Sequence, residues 1–123
     1  MLDKKKSNQF FSNELALARL KQYSIGRRIY PLDIVVHLTT RCNHDCNFCY
    51  NSVNRGNRLN LELDTSFLMN LFKETSQLGI QNMIISGGGE PFMHKDALQI
   101  INSASTQFKN IFVYTNLDYR LKP

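Results

Sequence analysis

The stretch RCNHDCNFCY, Arg41–Tyr50, holds all three cysteines of the chain, at positions 42, 46 and 49. Three is an awkward number of thiols. Disulfides use them in pairs, and a closed zinc site takes four ligands. A lone buried cysteine often behaves as a small hydrophobe. Here Asn43, His44, Asp45 and Asn47 stand between the thiols and make the segment too polar for a core. Thiolates bind soft metals and iron–sulfur clusters. Three of them on a short loop can hold three irons of a cubane 4Fe–4S cluster and leave the fourth iron open to a small molecule. A non-catalytic zinc-binding module is the alternative, with His44 or the strand-borne His37 as fourth ligand. His37 is otherwise expected as a half-buried polar residue.

The flanking sequence places this loop at the end of a strand. Pro31 introduces LDIVVHL, short and β-branched as a buried strand is. Upstream, ELALARLKQ predicts a helix over about Ser12 to Tyr23 with Ser12 as N-cap, and Ile25 to Tyr30 reads as a connector. Downstream, Asp64 is placed to cap a second helix. Phe67, Leu68, Leu71, Phe72, Thr75 and Leu78 recur there at helical spacing, and Gly79 fits the position just past its end. NMIIS reads as a second strand, ending at GGGEP. A third helix is expected over about Lys95 to Phe108, with Ala97, Ile100, Ile101 and Ala104 on one face. IFVYTN, Ile111–Asn116, reads as a third strand.

Strands alternating with amphipathic helices predict an α/β fold: a parallel βαβαβ sheet preceded by an N-terminal helix. Right-handed crossovers put both connecting helices on one face. Ligand sites of such folds gather at the carboxyl ends of the strands. The cysteine loop, GGGEP and the Thr115-Asn116 pair all fall there.

Composition is that of a globular chain, with 42% hydrophobic and 11% aromatic residues. No apolar run approaches the roughly 18 residues of a membrane span. The basic start, MLDKKKSNQF, lacks the apolar stretch of a signal peptide. A reducing, cytoplasmic setting is the expectation, and it suits free thiols. Of the net charge of +5, Lys4, Lys5 and Lys6 supply three. Arg27, Arg28, Arg41, Arg55 and Arg58 are scattered, and no basic face interleaved with aromatics supports nucleic-acid binding. Arginines near the cysteine loop suit an acidic electron donor such as flavodoxin or ferredoxin.

CNHDCNFC, Cys42–Cys49, resembles the CxxxCxφC signature of radical S-adenosylmethionine (radical SAM) enzymes, with Phe48 as the aromatic residue, and GGGEP resembles the GGE motif of that family. The resemblance implies that Cys42, Cys46 and Cys49 bind a 4Fe–4S cluster whose unique iron is chelated by S-adenosylmethionine. Reductive cleavage of the sulfonium would give a 5′-deoxyadenosyl radical that abstracts hydrogen from a substrate. Gly88 and Gly89 would let backbone approach the cofactor. Glu90 would meet its ammonium group, Phe48 would lie near adenine, and Thr115 and Asn116 would border the site. At the third strand the family often has Thr-Asn-Gly, where this chain has Leu117.

The family core is a partial barrel of about six βα units, of which three are legible here. The expected organisation is a tail, helix and connector over 1–30 and an incomplete core over 31–123, completed by a missing C-terminal half or a complementing chain. The substrate is not legible. Peptide modification and activation of another enzyme through a glycyl radical both remain open.

Overall fold

The computed structural model describes residues 13–52 and 60–118. The expected Ser12 cap, Lys4–Lys6, Arg55 and Arg58 lie outside them. Helix α1 spans Asn13–Ser24, strand β1 Asp33–His37, α2 Thr65–Gln77, β2 Asn82–Ser86, α3 Ala97–Gln107 and β3 Asn110–Val113. A short 3-10 turn covers Pro91–Met93. The sheet order is β1-β2-β3, and both pairings are parallel. The elements foreseen from hydrophobic period are therefore all present.

Asp64 caps α2 by accepting the Phe67 amide at 2.9 Å. Leu78 is its last half-helical residue, and Gly79 follows at φ +79°, a left-handed position that spares glycine the Cβ clash. Helix α3 starts two residues later than expected, after Asp96. Its Ala97, Ile100 and Ala104 are buried, with Ile101 packed beside them.

One face of the sheet carries the core. Val36, Met83 and Ile85 pack against Leu68 and Phe72 of α2 and Ile100, Ala104 and Phe108 of α3 and its cap. Phe72 and Phe108 meet edge-to-face, with ring centroids 5.7 Å apart. Both connecting helices thus cover the same face. The opposite face is layered. Asp33, Asn82 and Asn110 form a hydrogen-bonded row at the amino ends: Asn110 Nδ2 donates to Asn82 Oδ1 at 2.8 Å, and Asn82 Nδ2 donates to Asp33. Val35, Ile84 and Phe112 form the row above. His37 then stands beside Ser86 at the carboxyl ends. His37 was expected half-buried and is exposed, because among the described residues both connecting helices pack on the other face.

The third strand ends at Val113 rather than Asn116. The Tyr114 amide still donates to Ile85 at 2.9 Å, but the next two residues turn to serve Glu90 instead of a strand neighbour. The Arg19 side chain ties helix α1 to the entry of β1 and to the end of α2. The Arg19 guanidinium donates to the carbonyls of Tyr30, Pro31 and Gly79, the last two both at 2.7 Å. No helix among the described residues is long and apolar enough to cross a membrane.

Candidate functional site

The cysteine loop leaves β1 through Leu38–Arg41 and is closed at its base. Thr39 and Glu62 form an antiparallel bridge. Thr40 donates its amide to Leu61 at 2.9 Å, and Leu63 donates to Leu38 at 3.0 Å. Arg41 pairs with Glu62 and also donates to the Met93 carbonyl. Arg41 is thus engaged by a carboxylate and a backbone carbonyl, while its side chain stays 35% exposed.

The GGGEP turn lies directly against this base. The Glu90 amide donates to the Arg41 carbonyl at 2.7 Å. A Cβ on Gly89 would stand 1.9 Å from that same oxygen, and one on Gly87 would stand 1.6 Å from the Gly89 carbonyl. Two of the three glycines are therefore required by close backbone packing within the chain. Gly88 is different: a Cβ there would meet the Asn51 amide tip at 3.3 Å and little else. Tyr50 Oη donates to the Gly87 carbonyl at 2.9 Å, and Asn51 donates to Gly88. The end of the cysteine loop is thereby hung on the glycine turn.

Glu90 is 2% exposed. Its Oε1 accepts from the Thr115 hydroxyl at 2.7 Å and the Phe92 amide at 3.2 Å, and its Oε2 accepts the Asn116 amide at 2.8 Å. The carboxylate ties the ends of β2 and β3 together, with Thr115 and Asn116 in place beside it. Three donors leave part of its acceptor capacity open. Behind it, buried His94 donates Nε2–H to Leu63 at 2.8 Å and accepts the Asp96 amide at Nδ1, 3.1 Å away. This neutral tautomer fixes the turn to the segment before α2.

Cys42, Cys46 and Cys49 form no disulfide and are of intermediate burial. The Cys49 amide donates to the Cys46 carbonyl at 3.2 Å, a tight turn between the last two. His44 donates Nε2–H to the Asp118 carboxylate at 2.8 Å. Among the described residues no three His, Cys, Asp or Glu side chains are gathered as a metal site. The donor set still fits an iron–sulfur cluster, which cysteine thiolates can hold without a histidine or carboxylate. Phe48 stands 87% exposed on the loop.

Sequence reasoning missed the parts played by Asn43, Asn51, Glu62, His94 and Asp118. Their partners lie 21 to 75 residues away in most cases, so no local pattern marks them.

The sequence model of the Radical SAM superfamily matches residues 36–120. An S-adenosylmethionine-dependent nucleotide dehydratase of Selenomonas ruminantium is 33% identical over 88 residues, covering 72% of this chain and 31% of the relative. A PqqA peptide cyclase of Methylocella silvestris is 32% identical over 87 residues, covering 71% and 22%. A probable GTP 3′,8-cyclase of Methanopyrus kandleri is 30% identical over 93 residues, covering 76% and 28%. The chain therefore spans less than a third of the length of these relatives. The crystal structure of BtrN in complex with AdoMet and 2-DOIA superposes with a TM-score of 0.65 at 23% identity, covering 76% of this chain and 39% of that one, a likeness of fold.

Proposed function

Because the chain belongs to the radical SAM superfamily, whose cofactors are a 4Fe–4S cluster and S-adenosylmethionine, we propose that Cys42, Cys46 and Cys49 hold the cluster and that the GGGEP turn and the Thr115-Asn116 segment receive S-adenosylmethionine beside it. When bound, these groups supply a one-electron cleavage of the sulfonium C–S bond and a carbon radical that takes hydrogen from a substrate. The residues of the chain do the holding and orienting. Gly88 offers the least crowded approach on the turn. Glu90 fixes the ends of two strands and retains acceptor capacity for an ammonium group. Phe48 is free to cover an aromatic base.

The observation that carries this reading is the docking of the two motifs at one end of the sheet, through the Glu90 amide and the Arg41 carbonyl. The same stretch is shared with relatives named for nucleotide and for peptide substrates. It therefore carries the common cofactor chemistry rather than the choice of substrate. A peptide or protein substrate and a protein reductant such as flavodoxin or ferredoxin complete the proposal. Residues 31–123 act as part of a core that further strands enclose, since a radical needs water and stray donors excluded.

Anaerobic reconstitution tests the reading. About four irons and four sulfides per chain are expected, with broad brown absorption. Cys42→Ala, Cys46→Ala or Cys49→Ala each abolishes the cluster, and His44→Ala leaves it. Stoichiometric tetrahedral zinc that is lost equally in His44→Ala would favour the zinc module instead.

A further inference from the structure

The loop after β3 reaches back to the cysteine loop through side chains whose role neither motif accounts for. Asn116 Nδ2 donates to Asn43 Oδ1 at 2.9 Å. Asn43 Nδ2 donates to the Asp118 carbonyl at 2.6 Å, and the Asp118 amide donates to Asn116 Oδ1 at 2.9 Å. These three bonds close a ring through residues 43, 116 and 118. His44, the next residue along, donates to the Asp118 carboxylate. The ring is anchored inward, because the Asn116 amide is held by buried Glu90.

We propose that Asn43 is a positioning residue of the cysteine loop, and that Asn116 and Asp118 are the seat that holds it. Asn43 and His44 are bracketed by Cys42 and Cys46. Fixing them fixes the backbone of that half of the loop against the Glu90 turn, and ligand closure then starts from a seated main chain. The second half has its own supports, the Cys46–Cys49 turn and the bonds of Tyr50 and Asn51 to the glycines. The two halves are therefore held by different strands, the first by the end of β3 and the second by the end of β2. The proposal rests on the reading of the three cysteines as cluster ligands.

Hydrogen-bonded supports behind metal ligands typically change metal retention by 10- to 100-fold. Bonds between exposed side chains matter little to folding, and Asn43, Asn116 and Asp118 are all exposed. The two expectations separate positioning from stability. The test compares reconstituted wild-type protein with Asn43→Ala, Asn116→Ala and the double variant, following iron release to a chelator under anaerobic conditions and the thermal midpoint of each apoprotein. Each single variant is expected to release iron about tenfold faster with an unchanged midpoint. The double variant should release it no faster than the worse single, because both break one ring. The spectrum of the reduced cluster should change in the same variants. Asn47→Ala, on the loop but outside the ring, should match wild type. Release at the wild-type rate in the single variants, multiplied effects in the double, an equal effect of Asn47→Ala, or acceleration that tracks a lowered midpoint would each overturn the positioning role while leaving the cluster in place. Wild-type protein that takes up no iron and sulfide would remove the cluster reading, and this one with it.

Discussion

Gly89 lies so close to Arg41 that a Cβ on the glycine would stand 1.9 Å from the arginine carbonyl oxygen, the same oxygen that accepts the Glu90 amide. That contact is backbone against backbone, and neither side can yield as a flexible side chain would. Gly89→Ala should therefore destabilise the protein by about 3 kcal/mol or more. Gly88→Ala meets the end of the Asn51 side chain at 3.3 Å and no backbone closer than 4.0 Å, and should cost less than about 1 kcal/mol. Urea unfolding of the two variants checks the contrast, and equal losses would contradict it.

Glu90 gives its carboxylate to three donors on two segments. In Glu90→Gln one oxygen becomes an amide donor that faces another donor. The expected loss is about 1.5–3 kcal/mol of stability, the cost of a broken charged hydrogen bond. A calorimetric titration should also show weaker S-adenosylmethionine binding. If affinity falls while unfolding is unchanged, the carboxylate acts on the cofactor alone and not on the β3 loop.

Leu117 has φ +58°, the one described non-glycine residue in the left-handed region, and its side chain is 83% exposed. The strain costs about 1 kcal/mol or a little more, part of which glycine returns as unfolded-chain entropy. Leu117→Gly should be neutral to stabilising by up to about 1 kcal/mol. Leu117→Val should be clearly worse, since a β-branched residue tolerates this region poorly. Thermal midpoints of the two variants decide the sign.

Asp64 caps α2, and its carboxyl is held below the ordinary carboxylate value, first by the Ser66 hydroxyl and then by the Phe67 amide. A group depressed in the folded state contributes stability above its unfolded pKa and loses it as pH falls through the folded one. Wild type should thus exceed Asp64→Ala in stability at neutral pH, and the gap should close progressively below about pH 4. A gap that persists at the acid end would show that charge plays no part in the cap.

Much of this was legible in the sequence because it is local. The 3.6-residue period of α2, the Asp64 cap, Gly79 at the helix end and the cysteine spacing all lie within a turn or two of chain. What the sequence hid is non-local. Arg41 reads as one basic residue among several until Glu62, 21 residues on, folds back beside it. Glu90 reads as a ligand for an incoming amine until β3 brings Thr115 and Asn116 to it, 25 and 26 residues later. The same event ends the third strand at Val113, three residues short of where its apolar pattern suggests. His37 reads as half-buried because alternation cannot show which face of a sheet the helices choose.

The row of Asp33, Asn82 and Asn110 has a consequence for how the strands find their alignment. Ile34, Met83 and Ile111 differ little in character from Val35, Ile84 and Phe112, which point the other way. A slip of one residue would exchange the two faces, and apolar burial alone would scarcely tell the correct pairing from the wrong one. Parallel strands meet late, after their connecting segments have closed, so such errors have time to form. The amide relay from Asn110 through Asn82 to Asp33 can be completed in one alignment only. It works as a three-letter checksum, read across the chain at the end of the sheet far from the cysteines. Every geometric relationship at the opposite end depends on that reading being correct.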